Sequence, residues 1–141
     1  MTSAGVAFGH VSIVARDWRL LSRFYRSVFG CVPVPPRRQL SGVWLAAGTG
    51  VEAAALEGEH LRLPGHGPTG PTLEIYSYSH ILDKPAAAAN RRGLAHLAFQ
   101  VPSVETALAR VVSEGGRGLG TASSAEVPGK GRLTFVYACD P

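Results

Sequence analysis

Apolar and polar residues alternate along FGHVSIVARD, from Phe8 to Asp17, which predicts a β-strand, yet the strand carries an imidazole, His10, among Val11, Ser12, Ile13 and Val14. At Asp17 the period changes. Trp18, Leu21, Phe24, Tyr25 and Val28 recur at spacings of three and four, so a helix buries one face and turns Arg19, Arg23 and Arg26 outward to solvent. Asp17 is a suitable N-cap and Gly30 a suitable residue to end the helix, since glycine accepts the left-handed conformation there.

The same succession returns later in the chain. The strand-like HLAFQVP begins at His96, and a helix capped by Ser103 follows, with Val104, Ala107, Leu108, Val111 and Val112 as its apolar stripe and Gly115-Gly116 closing it. His10 and His96, Asp17 and Ser103, and Gly30 and Gly116 are each separated by 86 residues. Three matched landmarks at one offset imply two copies of a strand–helix unit, each followed by further strands.

Between the copies, VPVPPRR reads as a proline-rich turn, SGVWLAAGTG carries no clear period, and AAALEGEHLRLP and PTLEIYSY read as strands. Ser79 to Arg92 reads as a linker. After the second helix, GRGLGTASSAEVPGKG is loop-rich with room for one strand, and RLTFVYACDP reads as a closing strand.

Length and composition narrow the class. A chain of 141 residues, 45% hydrophobic and 17% charged, suffices for one globular domain and argues against disorder, and no apolar run is long enough to span a bilayer. The net charge of +4 comes from scattered arginines rather than a dense basic stripe, so neither nucleic acid nor membrane is expected as a partner. No signal-peptide pattern precedes His10, and Cys31 and Cys139 show no metal or redox spacing, which points to the cytoplasm and to cysteines used for packing.

The chemistry gathers in three residues. On PTLEIYSY, Glu74 shares a face with Thr72, Tyr76 and Tyr78, while Leu73 and Ile75 point the other way. A strand histidine is usually a hydrogen-bonded core or edge residue, and a strand carboxylate usually faces water. Two histidines at equivalent repeat positions together with a glutamate on a sheet strand are nevertheless a donor set that Zn, Ni, Co, Mn or Fe accepts. His60, His66 and His80 lack a counterpart in the repeat and are read as surface or structural residues. GHGPTG, Gly65 to Gly70, matches the letters of a dinucleotide fingerprint but joins strand to strand and opens no helix, so it is read as a turn. Arg37-Arg38 and Arg91-Arg92 are read as solvated loop charge, with holding a substrate carboxylate or phosphate as the other use.

FGHVSI, TLEIYSY, GLAHLAFQVPSV and GRLTFVYACDP together resemble the vicinal oxygen chelate superfamily, which includes glyoxalase I, methylmalonyl-CoA epimerase, bleomycin-resistance proteins and extradiol dioxygenases. The resemblance covers essentially the whole chain. It implies an α+β fold in which two βαβββ modules form a curled mixed sheet, a half-barrel. The chain is expected to be a single domain over 1–141, with module one at 7–80, a linker at 81–92 and module two at 93–141. It further implies a divalent metal held by His10, Glu74 and His96, with Glu74 also the catalytic base as a displaceable ligand.

The family's fourth ligand, a glutamate, stands in a strand that follows the Asp-Pro dipeptide, here Asp140-Pro141, so the second module is expected to lack its last strand, through truncation or donation from a partner chain. The expected activity is that of a metal-dependent lyase or isomerase acting on a small, anionic substrate, and the expected assembly is a homodimer. A metal-free antibiotic-binding protein, stacking its ligand on Trp44, Tyr76, Tyr78 and Phe99, is the alternative, and an extradiol-type dioxygenase the third.

Overall fold

A computed structural model describes residues 5–141, which fall into two compact units divided between Leu82 and Asp83. Among the described residues no helix is long and apolar enough to cross a membrane.

The first unit runs β1 (His10–Val14), α1 (Trp18–Phe29), β2 (Val32–Ser41), α2 (Val43–Thr49), β3 (Ala55–Arg62) and β4 (Thr72–Tyr78). Its strands form one sheet in the order β1-β4-β3-β2, with β1 parallel to β4 and the other pairs antiparallel. The mixed α+β module expected from the sequence is therefore present.

Helix α1 starts and stops as its caps dictate. The Asp17 carboxylate accepts from the backbone amides of Arg19 and Leu20, and Gly30 adopts φ 68° to end the helix. Trp18, Leu21, Phe24 and Tyr25 are buried, as are the sheet residues Leu61, Leu73 and Ile75, each 0% exposed. On that helix-facing side of the sheet Ser22 Oγ donates to the buried carboxylate of Glu59, which Arg37 approaches at 3.7 Å. Ser77 ties the β1–α1 corner to β4, since its Oγ accepts from the Trp18 amide at 2.9 Å and donates to the Ala15 carbonyl at 2.8 Å. The first strand is thereby fixed at both ends of its ladder, because the Thr72 amide donates to the Gly9 carbonyl at 3.2 Å.

The opposite face of the sheet is the one that bears His10, Ser12 and Glu74. Here α2 packs Leu45 against Leu56 and Tyr76, with Leu40, Val51 and Tyr78 around them. Gly58 makes this packing possible: a Cβ there would collide with the Ile75 carbonyl and the Tyr76 ring.

Two readings of the first unit change. VPVPPRR is part of strand β2 and not a turn. Because β2 is the sheet's edge, prolines without an N–H cost no ladder bond on its open side, and the register breaks between Val34 and Arg38, around a cis Pro35-Pro36 peptide. The segment without a clear period is a helix, α2, whose N-cap Gly42 offers no side-chain hydrogen bond and hence no sequence signal.

The second unit holds α3 (Val104–Ser113), β5 (Arg117–Gly118), β6 (Ser123–Val127), β7 (Gly131–Phe135) and β8 (Ala138–Cys139). Ser103 caps α3 by accepting from the Thr106 amide at 3.2 Å, and Gly115 leaves the helix at φ 96°. Pairs β6–β7 and β5–β8 are antiparallel, and the amides of Leu119 and Gly120 both donate to the Tyr137 carbonyl between them. They are segments of one irregular hairpin, so RLTFVYACDP is not a continuous strand.

HLAFQVP, expected as a strand, carries no assigned strand at all. In the first unit β1 is held by β4 alone. Among the described residues of the second unit no segment takes the place of β4, so this stretch has no ladder to join.

Gly58→Ala is expected to destabilise the protein by about 1–3 kcal/mol through overpacking, with a melting temperature lower by roughly 5–10 °C. Calorimetry of the variant checks this, and an unchanged transition would show that Tyr76 does not rest on Gly58.

Candidate metal centre

Three adjacent strands each contribute one side chain to a cluster on the same sheet face. His10 comes from β1, Glu74 from the central β4 and His60 from β3, where it pairs directly across from Glu74. Ser12 lies opposite Glu74 on the other side, and its small side chain lets the His10 ring reach the carboxylate diagonally.

Nε2 of His10 lies 3.4 Å and Nε2 of His60 3.2 Å from the same oxygen, Oε2 of Glu74. The ligand atoms of the three residues all lie within 4.8 Å of one another. The two imidazoles stand edge to face, 5.5 Å apart and 87° inclined. Glu74 and His60 are largely buried, with side chains 14% and 16% exposed, whereas His10 is 48% exposed, so the trio opens to solvent on the β1 side.

The surrounding groups fix the orientation of His60. Its Nδ1 hydrogen-bonds Thr72 Oγ1 at 2.9 Å, and its Nε2 meets the Tyr76 hydroxyl at 3.2 Å. Burial lowers the His60 pKa from the ordinary 6.5; the Glu74 charge opposes this, while Arg38 and His10 add to it, and desolvation prevails. Burial, together with the Glu74 charge, pushes the Tyr76 hydroxyl up to about 12, so it remains a hydrogen-bond donor. Two imidazoles and one carboxylate, with the buried imidazole favoured in its neutral form, are a donor set that fits a divalent cation.

The structure thus brings together His10 and Glu74, as the sequence suggests, and places beside them His60, which the sequence reading makes a surface or structural residue. The missed signal was local. His60 shares its strand face with Gly58, and in a β3–β4 hairpin the antiparallel register decides which β3 residue faces Glu74. His96 belongs to the second unit, exposed on the irregular stretch before α3, with its ring 4.9 Å from that of Tyr137. His66 and His80 are exposed in a turn and a bend, and GHGPTG is a turn in which the Gly70 amide donates to the Gly67 carbonyl. Cys31 is buried and its thiol pushed up to about 11 by desolvation, as a packing residue should be. Arg38 is partly buried and close enough for its charge to act on His60 and Tyr76. A hollow of about 620 Å³ in the first unit lies elsewhere, lined by Trp18, Gln39, Glu57 and Ser77 and without any of the three residues.

The model of the Glyoxalase/Bleomycin resistance protein/Dioxygenase superfamily matches residues 7–130. The chain belongs to that superfamily. A glyoxalase family protein from Bacillus cereus has a similar structure, with a TM-score of 0.75 at 18% identity, over 96% of this chain and 89% of that one. A glyoxylase/bleomycin resistance protein/dioxygenase domain from Frankia sp. gives a TM-score of 0.53 at 20% identity, over 96% and 85%. A protein from the mobile metagenome of V. Pseudocholerae gives 0.52 at 17%, over 100% and 91%. These likenesses establish the fold. No curated protein matches the sequence.

The His60 shift fixes a pH dependence. An unfolded chain takes up a proton near 6.5 and the folded imidazole only at lower pH, so this contribution to stability is intact above 6.5 and is lost as pH falls below it. In chelator-treated protein the urea midpoint should drop on acidification through that range, and drop less in His60→Gln. An equal drop in both proteins would contradict the assignment.

Proposed function

We propose that the protein is a metal-dependent lyase or isomerase of the glyoxalase I or epimerase kind, acting on a small substrate that presents two neighbouring oxygens. The observation that carries this reading is the carboxylate of Glu74, seated between two imidazoles on the open face of the sheet in a chain of this superfamily. His10 and Glu74 would hold the ion, with His96 as the ligand from the second module. Its identity among Zn, Ni, Co, Mn and Fe is a matter of this borderline nitrogen and oxygen donor set. When bound, the ion supplies Lewis-acid stabilisation of the negative charge that develops on the substrate oxygens.

The remaining work falls to the chain. Glu74 takes the proton from the carbon beside the substrate carbonyl and returns it at the end of the cycle. Tyr76, kept protonated by burial, donates to Glu74 and holds the carboxylate in place. Burial of Glu74 and His60 limits water on the inner side, and the exposed edge of His10 leaves an entrance. Arg38 lies on the same side of the sheet as this network and suits an anionic substituent on the substrate. The same reading takes the working form to be a cytoplasmic homodimer, a compartment with which two unpaired cysteines agree.

Exchange of substrate carbon-bound hydrogen with deuterated water, followed by NMR over a panel of α-hydroxycarbonyl acids and thioesters, tests the chemistry. Exchange should require added divalent metal and fall by about 10²–10⁴-fold in Glu74→Gln. Metal analysis should show stoichiometric ion in the native protein and its loss in His10→Ala and Glu74→Ala. Unchanged stoichiometry in those variants would remove the site, and tight ligand binding that survives a chelator without any exchange would favour a binding protein instead.

A further inference from the structure

We propose that His60 is itself a ligand of the cation, so that the first unit supplies three donors to the ion from three neighbouring strands. The inference rests on the metal-dependent reading above and adds a residue that the repeat pattern does not contain.

Geometry is the first argument. Two donors bound to one ion at about 2.0–2.2 Å stand roughly 3–3.5 Å apart. His60 Nε2 and His10 Nε2 lie at 3.2 Å and 3.4 Å from Glu74 Oε2, which are separations of this size. A histidine that served only to brace the carboxylate would need one such contact, with no demand that the second imidazole converge on the same oxygen.

Orientation is the second. Thr72 Oγ1 lies 2.9 Å from Nδ1 of His60, a hydroxyl that can accept from Nδ1–H and so hold the ring while Nε2 turns its lone pair to a bound cation. Metal-binding histidines are commonly held in this way, by a hydrogen bond on the nitrogen remote from the ion. The third is placement: β3 pairs with β4 in continuous register from Leu56 to Arg62, so His60 stays opposite Glu74 without a bulge. A bound cation would replace the 3.2 Å contact between Nε2 and the Tyr76 hydroxyl, leaving that hydroxyl to donate to Glu74. Two imidazoles and one carboxylate from the first unit are donors that zinc accepts, and the ion can take His96 or substrate oxygens beside them.

The test uses the full chain loaded with zinc. X-ray absorption at the zinc edge counts the imidazoles, and equilibrium dialysis gives the affinity, for the native protein, His60→Gln and His96→Ala. His60→Gln is expected to lose one imidazole from the spectrum and about 100-fold or more in affinity, beyond what an outer hydrogen-bond partner contributes. An unchanged imidazole count on zinc-loaded His60→Gln would overturn the inference and leave the proposed function standing. Failure of the native protein to bind zinc or any of the other candidate metals would overturn both. Should His60→Gln fail to fold, the native protein labelled with ¹⁵N-histidine decides: the Nε2 resonance of His60 moves on zinc binding if it is a ligand and stays if it is not.

Discussion

Strand β4 is the constraint on which the rest depends, because it is the one strand that pairs on both sides within the site: in parallel with β1 and antiparallel with β3. Those two registers place His10 diagonal to Glu74 and His60 directly opposite it. His10 meets His60, fifty positions away in sequence, only because both ladders are in place, and a slip of one residue in either would turn a histidine to the helix side. The bonds of Ser77 to Trp18 and Ala15 reinforce the β1 side of that arrangement.

The two faces of the sheet use carboxylates differently. Glu59 lies on the α1 side, 4% exposed, satisfied by Ser22 and approached by Arg37, so its charge is compensated within the packing. Glu74 lies on the other face, shares its oxygen with two imidazoles and is braced by Tyr76. The first carboxylate is a structural element. The second has partners that a cation can also engage, which is why the chemistry is assigned to it. Gly58 and α2 serve the same end, since they hold the Tyr76 ring where its hydroxyl reaches the trio.

What the sequence revealed follows from what local physics decides. Caps and amphipathic period located α1 and α3, and alternation located β1, β3, β4 and the shared face of Thr72, Glu74 and Tyr76. The proline-rich β2 was illegible because its tolerance of proline comes from lying at the sheet edge, a property of topology. The stretch at His96 misled for the reverse reason: alternation marks a chain able to pair, and pairing needs a neighbour. His60 was overlooked because the repeat argument looked for equivalence between copies, while its contact with Glu74 arises from a hairpin register within one copy.

The central proposal is that His10, His60 and Glu74 surround a single cation. Crystals grown with zinc test it most directly, by anomalous difference density. One strong peak is expected at about 2.0–2.2 Å from Nε2 of His10, Nε2 of His60 and a carboxylate oxygen of Glu74. A fully occupied peak bound to His10 and Glu74 with His60 still turned to Tyr76, or no peak between these strands, would contradict it.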